Sequence, residues 1–395
     1  VYTRAVGEDN PELVAAKSMG LPTIEGAEML GRLYELFDQR VSVTGTHGKT
    51  STSAMLSSIL VACGKDPTVL IGGKSPDIDG HARLGKTSLF VAEACEAYAS
   101  FHHLRSSLAL ITNVDADHLD FYHSHDGVKD AFVKFIGQVD ADGIVLACAD
   151  DPHLQSLKAR VDRKWLTFGF AEDADFRVTH VRQIDDGEAF TLSSRDWSVE
   201  TLLPMFGRHF VSNAAGAIAA AILLGCDPDR AARALRGFRG VGRRMELKGR
   251  FGGVTVVDDY AHHPTEIDAT LAAAREQYSG RITVVFQPHL FSRTSDHLTS
   301  FARALLASDR LVLTNVYAAR EDPEAGLQAD ILFKEVAKLG HKDAHYVPDL
   351  AKVAAWLVDR MQPGDVVMTI GAGNVFEAGE HLLDLLRAHP ARSSR

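Results

Sequence analysis

Arg40-Val41-Ser42-Val43-Thr44 runs directly into Gly45-Thr46-His47-Gly48-Lys49-Thr50-Ser51, a short alternating strand followed by a glycine-rich turn. From Thr50 to Cys63 the pattern is helical, with Met55, Leu56, Ile59 and Leu60 on one side and Gly64 as the stop. A strand, a tight turn and a helix in this order make a phosphate cradle. Backbone N–H groups of the turn face an anion, and the helix adds its positive N-terminal end. In such a turn Lys49 reaches the outer phosphates of a nucleotide and the Thr50 hydroxyl ligates Mg²⁺. The spacing departs from G-x-x-x-x-G-K-[ST] at one place, because Val43 stands where the first glycine falls. A tight turn with an incidental lysine is the plain alternative. The flanking strand and helix favour ATP, held by Gly45, Thr46, His47, Gly48, Lys49, Thr50 and Ser51.

Working outward, 395 residues exceed one ordinary core and call for two or three domains. The chain is 46% hydrophobic and 24% charged, the composition of a globular protein with a full core. A net charge of −10 argues against general nucleic-acid binding, which needs a basic face. No apolar run reaches the length of a membrane span, and no basic-then-apolar leader opens the chain. Cys63, Cys95, Cys148 and Cys226 are scattered and read as reduced core residues of a cytoplasmic protein. The chain begins at Val1, without an initiator Met or a leading strand–glycine-loop unit, and is read as a fragment or trimmed form.

Strand and helix patterns alternate along the chain, which is the mark of α/β layers around largely parallel sheets. Strands are expected at 41–44, 89–92, 108–112, 144–147, 254–257, 282–286, 310–313 and 365–370. Between 160 and 206 short alternating segments point to a small antiparallel patch, and helix returns at 209–225. Gly237-Phe238-Arg239-Gly240-Val241-Gly242-Arg243-Arg244 is read as a hinge before a second α/β unit. The polar tail after Ala388 is expected to fray.

Polar residues gather just past the expected strand ends, where such folds carry their chemistry. Glu93 follows one strand, and Asn113 with Asp115-Ala116-Asp117-His118-Leu119-Asp120 follows another. Glu93 and His118 are candidates for a metal site beside Thr50, although histidine is an uncommon Mg²⁺ ligand and Asp117 or Asp120 can serve instead. Glu96 can be a helix-start carboxylate supporting the N-terminal dipole, which is its plain alternative. His209 and Asn213, one helical turn apart, can face one object, and an asparagine can pair with an adenine edge. Arg243 or Arg244 can bring a guanidinium onto the γ-phosphate. In the second unit Asp259, Tyr260, His262 and His263 cluster before Pro264, with no zinc-like spacing to a further ligand. Arg293 can clamp a carboxylate, and His289 lies four residues before it.

These motifs, in this order, resemble the Mur ligase family of cell-wall synthesis. The likeness is carried by Gly45 to Thr50, by Thr112 to Asp120, by Asp258 to Glu266 and by Phe286-Gln287-Pro288-His289. His81-Ala82-Arg83-Leu84-Gly85 and Phe168 to Asp175 add to it. The histidine inside the phosphate loop and the Asp-Tyr-Ala-His-His-Pro run favour the alanine-adding branch. The resemblance implies a central P-loop ATPase domain with a mostly parallel sheet (39–243) and a C-terminal Rossmann-like α/β domain (244–395). Residues 1–38 correspond to the end of an N-terminal UDP-binding domain, whose glycine-rich loop they lack. It further implies ATP and Mg²⁺, with UDP-N-acetylmuramate and L-alanine as small-molecule substrates joined through an acyl phosphate. Lys49, Glu93, His118 and Arg244 are then catalytic, with Thr50, Glu93 and His118 on the metal. His209, Asn213, Arg244 and Asp259 contact the nucleotide, and His262, His263, His289 and Arg293 the substrate. This sequence has Glu93-Ala94-Cys95-Glu96 for the family's Glu-Ala-Asp-Glu, Phe210 for a common asparagine, and Leu290 where some members carry arginine. Two other readings stay open: a recycling ligase that attaches a whole tripeptide, and a nucleotide-binding fragment without activity.

Overall fold

The computed structural model describes residues 1–4, 6–319, 321 and 329–388; the tail after Ala388 lies outside them. The chain divides into two compact units, Val1–Val241 and Gly242–Arg395.

The first unit is built on a ten-stranded sheet. Its strands are β1 Gln39–Thr44, β2 Thr68–Ser75, β3 Gly80–Arg83, β4 Leu89–Glu93, β5 Leu108–Ile111, β6 Ile144–Cys148, β7 Lys164–Gly169, β8 Phe176–Ile184, β9 Gly187–Ser193 and β10 Ser198–Leu203. They lie in the order β10-β9-β8-β7-β6-β5-β1-β4-β2-β3. The strands from β8 to β2 in that order are parallel, whereas β9, β10 and β3 run antiparallel to their neighbours. The antiparallel patch expected over 160–206 is thus β8–β10, while β7 within that stretch joins the parallel run beside β6. The reason is the helix Pro152–Leu157, which carries the chain back before β7 and makes a parallel crossover.

Chain order reverses on either side of β1, which sits between β5 and β4. That is a topological switch point, where the carboxyl ends of parallel strands leave a crevice. The helix Lys49–Ala62 leaves β1 and is buried along nearly its whole length, Ala54, Met55, Leu56, Ile59 and Leu60 being fully enclosed. It packs against the helix Arg208–Leu223. The run Ala214, Ala215, Gly216 and Ala217 permits close approach there. A Cβ on Gly216 would stand 2.8 Å from the Phe168 ring of β7. Near the start of the chain, the helix Gly26–Tyr34 places the Tyr34 hydroxyl 3.0 Å from Ser42 Oγ of β1, with the ring edge-on to Phe90.

The second unit holds β11 Glu246–Phe251, β12 Val254–Asp259, β13 Ile282–Phe286, β14 Arg310–Leu313, β15 Ala344–Tyr346 and β16 Val366–Ile370. Their order is β11-β12-β16-β13-β14-β15, parallel except for the antiparallel edge strand β11. Alternate residues enter opposite cores: Val284 and Phe286 pack with Leu271, Phe301 and Met368, while Val285 packs with Val312, Leu357 and Leu382. Both faces of the sheet are therefore covered, as a parallel sheet requires.

Candidate functional site

The loop after β1 is held in shape by the loop after β5. Thr46 N–H donates to the Asn113 carbonyl at 3.1 Å and His47 N–H to Asn113 Oδ1 at 2.8 Å. Thr112 Oγ1 and Asn113 Nδ2 both donate to the His47 carbonyl, at 2.6 and 3.0 Å. The His47 ring sits 3.1 Å from Asp115. Two loop N–H groups are thereby spent on Asn113. The anion-facing donors are those at the start of the helix, around Lys49, Thr50 and Ser51, which by geometry have no intrahelical partner. Gly48 caps that helix at φ +82°, and Gly45 has φ +131°, both in the region that favours glycine. A Cβ on Gly45 would meet Thr112 Oγ1 at 2.1 Å, and one on Gly48 would meet Asn213 Oδ1 at 2.7 Å.

Lys49 turns back into this loop. Its ammonium donates to the Gly45 and Thr46 carbonyls at 2.7 and 2.9 Å and pairs with Glu96 at 2.8 Å. Burial works against the charge, but Glu96, aided by Cys95 and Glu93, outweighs it and holds the ammonium above the ordinary lysine range. Glu96 does precede a 3-10 helix, Ala97–His103, but makes no side-chain cap bond there. Its carboxylate is instead the counter-ion of Lys49. The β1–β4 register places Val43 beside Glu93, and this brings the β4 end to the loop.

Glu93 lies at that end with one carboxylate oxygen 2.9 Å from the Thr50 hydroxyl, which donates to it, and the other accepting Gly72 N–H at 2.6 Å. A hydroxyl and a carboxylate are hard oxygen donors, the kind Mg²⁺ takes, so this pair fits the ion. His118, at φ +54°, places Nε2 3.8 Å from both Glu96 and Asp117. Thr50, Glu93, Glu96 and His118 thus gather around the lysine from the ends of β1, β4 and β5. Asn213 joins them from the helix Arg208–Leu223, buried against Gly48. His209, one turn earlier, is half-buried with its ring over Phe210, and Phe210 is a core residue.

In the second unit the two arginines part. Arg243 is not a swinging group. Its guanidinium is bonded to Asp258 at 2.9 Å and to the Gly371 and Ala372 carbonyls at 2.6 and 3.3 Å, with Tyr260 and Phe376 rings about it. Asp258 is fully buried, so releasing Arg243 would strand a charge. Arg244 instead lies over the Tyr260 ring, 5.2 Å from its centroid. Asp259 accepts from Met245 N–H, Ala261 N–H and Thr270, at 2.8, 2.9 and 3.2 Å. Burial raises its carboxyl to about 6 against the pull of Arg244.

His262 is fixed by Tyr260 O at 3.0 Å and Glu266 at 3.2 Å, its ring 6.2 Å from that of His289. His289 in turn stacks on Tyr317. His263 is buried at the start of the helix Pro264–Gln277, its ring against His297. Arg293 is buried on the short helix Phe291–Asp296, which Leu290 enters at φ +66°. Of the cysteines, Cys148 and Cys226 are buried, Cys63 is half-buried and Cys95 is exposed, so the expectation of core residues holds for two.

The Mur ligase middle domain matches residues 43–221, and the Mur ligase glutamate ligase domain matches residues 243–373. The chain belongs to the Mur ligase family. It is 41% identical over 388 residues to the UDP-N-acetylmuramate–L-alanine ligase of Acetivibrio thermocellus, covering 97% of this chain and 82% of that one. It is 42% identical over 389 residues to the ligase of the same name from Pelobacter propionicus, with 98% and 84% covered. The crystal structure of the UDP-N-acetylmuramate-alanine ligase MurC from Thermotoga maritima superposes with a TM-score of 0.83 at 28% identity, over 98% of this chain and 84% of that one.

Proposed function

We infer that this chain is an ATP-dependent ligase that joins L-alanine to the lactyl carboxylate of UDP-N-acetylmuramate, a step of peptidoglycan precursor synthesis. The observation that carries the reading is the phosphate loop at the switch point of the first sheet, with Lys49, Thr50 and Glu93 converging on it. Two relatives at about 40% identity over nearly the whole chain bear the alanine-ligase name, which supports the choice of amino acid.

A carboxylate is a poor electrophile. Its oxygen attacks the γ-phosphorus of ATP, ADP leaves, and an acyl phosphate results. The amine of L-alanine then attacks the acyl carbon, the C–O bond to phosphate breaks, and the amine loses its proton. Lys49 neutralises charge on the transferring phosphoryl group once a triphosphate replaces Glu96 as its partner, and Arg244 adds a second positive charge. Thr50, Glu93 and His118 would hold Mg²⁺, which supplies charge neutralisation on the phosphate oxygens. Gly45 to Ser51 cradle the phosphates, while His209, Asn213 and Asp259 contact the rest of the nucleotide. His262, His263, His289 and Arg293 position the substrates. Residues 1–38 form the end of a UDP-binding domain, 39–243 the ATP-binding domain and 244–395 the ligase domain.

The protein works in the cytoplasm on small molecules, without nucleic acid or membrane. Among the described residues no helix is long and apolar enough to cross a membrane. The reading is tested by phosphate release in the presence of UDP-N-acetylmuramate, ATP and Mg²⁺. Release that depends on L-alanine is expected; release that depends instead on the whole tripeptide would overturn the choice of substrate.

A further inference from the structure

Three loops of the second unit leave the carboxyl ends of β16, β13 and β14 side by side. Phe286 pairs with Ile370 across β13 and β16 and with Leu313 across β13 and β14, so the loops start level with one another. Gln287 N–H donates to the Ile370 carbonyl at 3.1 Å, and Tyr317 N–H to the Pro288 carbonyl at 2.8 Å. Gln287 follows β13 directly and is only 6% exposed. Its amide orientation follows from its neighbours. Asn374 Nδ2 donates to the Glu377 carboxylate at 3.1 Å, which turns Asn374 Oδ1 toward Gln287, and Gln287 Nε2 donates to that oxygen at 3.1 Å. Gln287 Oε1 therefore faces the other way, and among the described residues no donor reaches it. A buried acceptor without a partner costs stability and asks for an explanation. The oxygen lies against Gly373, where a Cβ would stand 2.4 Å from Oε1 and 2.7 Å from the Tyr317 ring. A side chain at 373 would cover it. The ring of Tyr317, stacked on His289, forms the outer wall, and Tyr317 is 39% exposed.

We propose that Gln287 Oε1 accepts a hydrogen bond from the amine of the amino-acid substrate, with the Tyr317 ring turning outward to admit it. This role for Gln287 rests on the ligase reading above and names the group that holds its nucleophile. An α-amino acid carries a cation and an anion a few bonds apart. Arg293, six residues further along and likewise buried, is suited to the anion. Gln287 supplies the acceptor that the ammonium needs. Because no described protein donor engages Oε1, the amine gains this bond without breaking another. An N–H bond to a fixed oxygen also sets where the nitrogen lone pair points once a proton has left, and attack on an acyl carbon depends on that direction.

The test is steady-state phosphate release by the whole chain with UDP-N-acetylmuramate, ATP and Mg²⁺, L-alanine being varied. Gln287→Met keeps the length of the side chain and removes the acceptor. It should raise KM for L-alanine by at least about tenfold while KM for ATP stays unchanged. Gln287→Glu keeps an acceptor and should hold KM for L-alanine within about threefold of the wild type. A purely structural amide gives the reverse order, because a buried carboxylate is tolerated less well than a thioether, and that order would overturn the proposal. So would an unchanged KM for L-alanine in Gln287→Met, the result if water alone satisfies the oxygen. Wild-type phosphate release that ignores L-alanine would instead sink the ligase reading, and the role of Gln287 with it.

Discussion

The ammonium of Lys49 lies 2.8 Å from the carboxylate of Glu96, with the two side chains only 13% and 3% exposed. This buried pair keeps the phosphate-loop lysine charged and aimed into its own loop when no phosphate is there to receive it. Breaking a buried pair strands the remaining charge. Glu96→Gln should therefore destabilise the nucleotide-free protein by about 3 kcal/mol. Removing both charges together, as Lys49→Met with Glu96→Leu, should restore most of that loss. Urea unfolding of the three variants checks this; equal stability of Glu96→Gln and the wild type would remove the pair from the account. Lys49→Ala should lose ATP turnover while its circular dichroism stays native.

Gly45 and Gly48 admit no side chain, for different reasons. At Gly45 a Cβ would run into Thr112 and the Asn113 backbone, whereas at Gly48 it would press on the Asn213 amide, which can shift. Gly45→Ala should weaken nucleotide binding more than Gly48→Ala, with Gly45→Ala costing at least about tenfold in ATP affinity. Isothermal titration with ATP and Mg²⁺ gives the ordering, and the reverse order would contradict the loop geometry.

Arg243 and Arg244 are neighbours with separable effects. Arg243→Ala leaves Asp258 buried and unpaired and should lower stability by about 3 kcal/mol. Arg244→Ala should change stability by no more than about 0.5 kcal/mol, yet cut turnover by at least about 1,000-fold if its guanidinium meets the transferring phosphoryl group. Thermal unfolding beside steady-state kinetics of both variants separates the roles. A stable, active Arg244→Ala enzyme would leave Arg244 without one.

Asp259 gives a pH signature. Its carboxyl sits at about 6 in the folded chain against an ordinary 3.8, so the folded state holds a proton that the unfolded state gives up. Stability should therefore fall as pH rises from about 4 to about 6, by about 3 kcal/mol from this group. Measured as the difference between wild type and Asp259→Asn, the slope should be confined to that window. A difference that does not change with pH would show that Asp259 is not held protonated.

What could be read from the residues was local. The phosphate loop is legible because apolar alternation, two glycines and a lysine lie within a dozen positions, and continuous apolar runs give β1, β4, β5, β6, β12, β13, β14 and β16, whereas β2, β3, β11 and β15 are not among the expected strands. The pairing of Glu96 with Lys49 is not legible because the two lie 47 positions apart, and only the parallel register of β1 with β4 brings them together. Arg243 looked mobile in a glycine-rich stretch. What fixes it, Asp258 and the Gly371 carbonyl, comes from the pairing of β12 with β16, which no single segment displays. The direction of β7 was hidden for a like reason, since alternation marks a strand but not its neighbour. Asn213 was visible as a polar residue on a helix, but its place against Gly48 depends on two helices packing through small residues.

The most direct measurement is a crystal structure of the chain with Mg²⁺ and a non-hydrolysable ATP analogue. The triphosphate should lie along Gly45 to Ser51, with Lys49 swung from Glu96 onto the terminal phosphates and the cation between Thr50 and Glu93. A triphosphate bound elsewhere, with Lys49 still on Glu96, would contradict it.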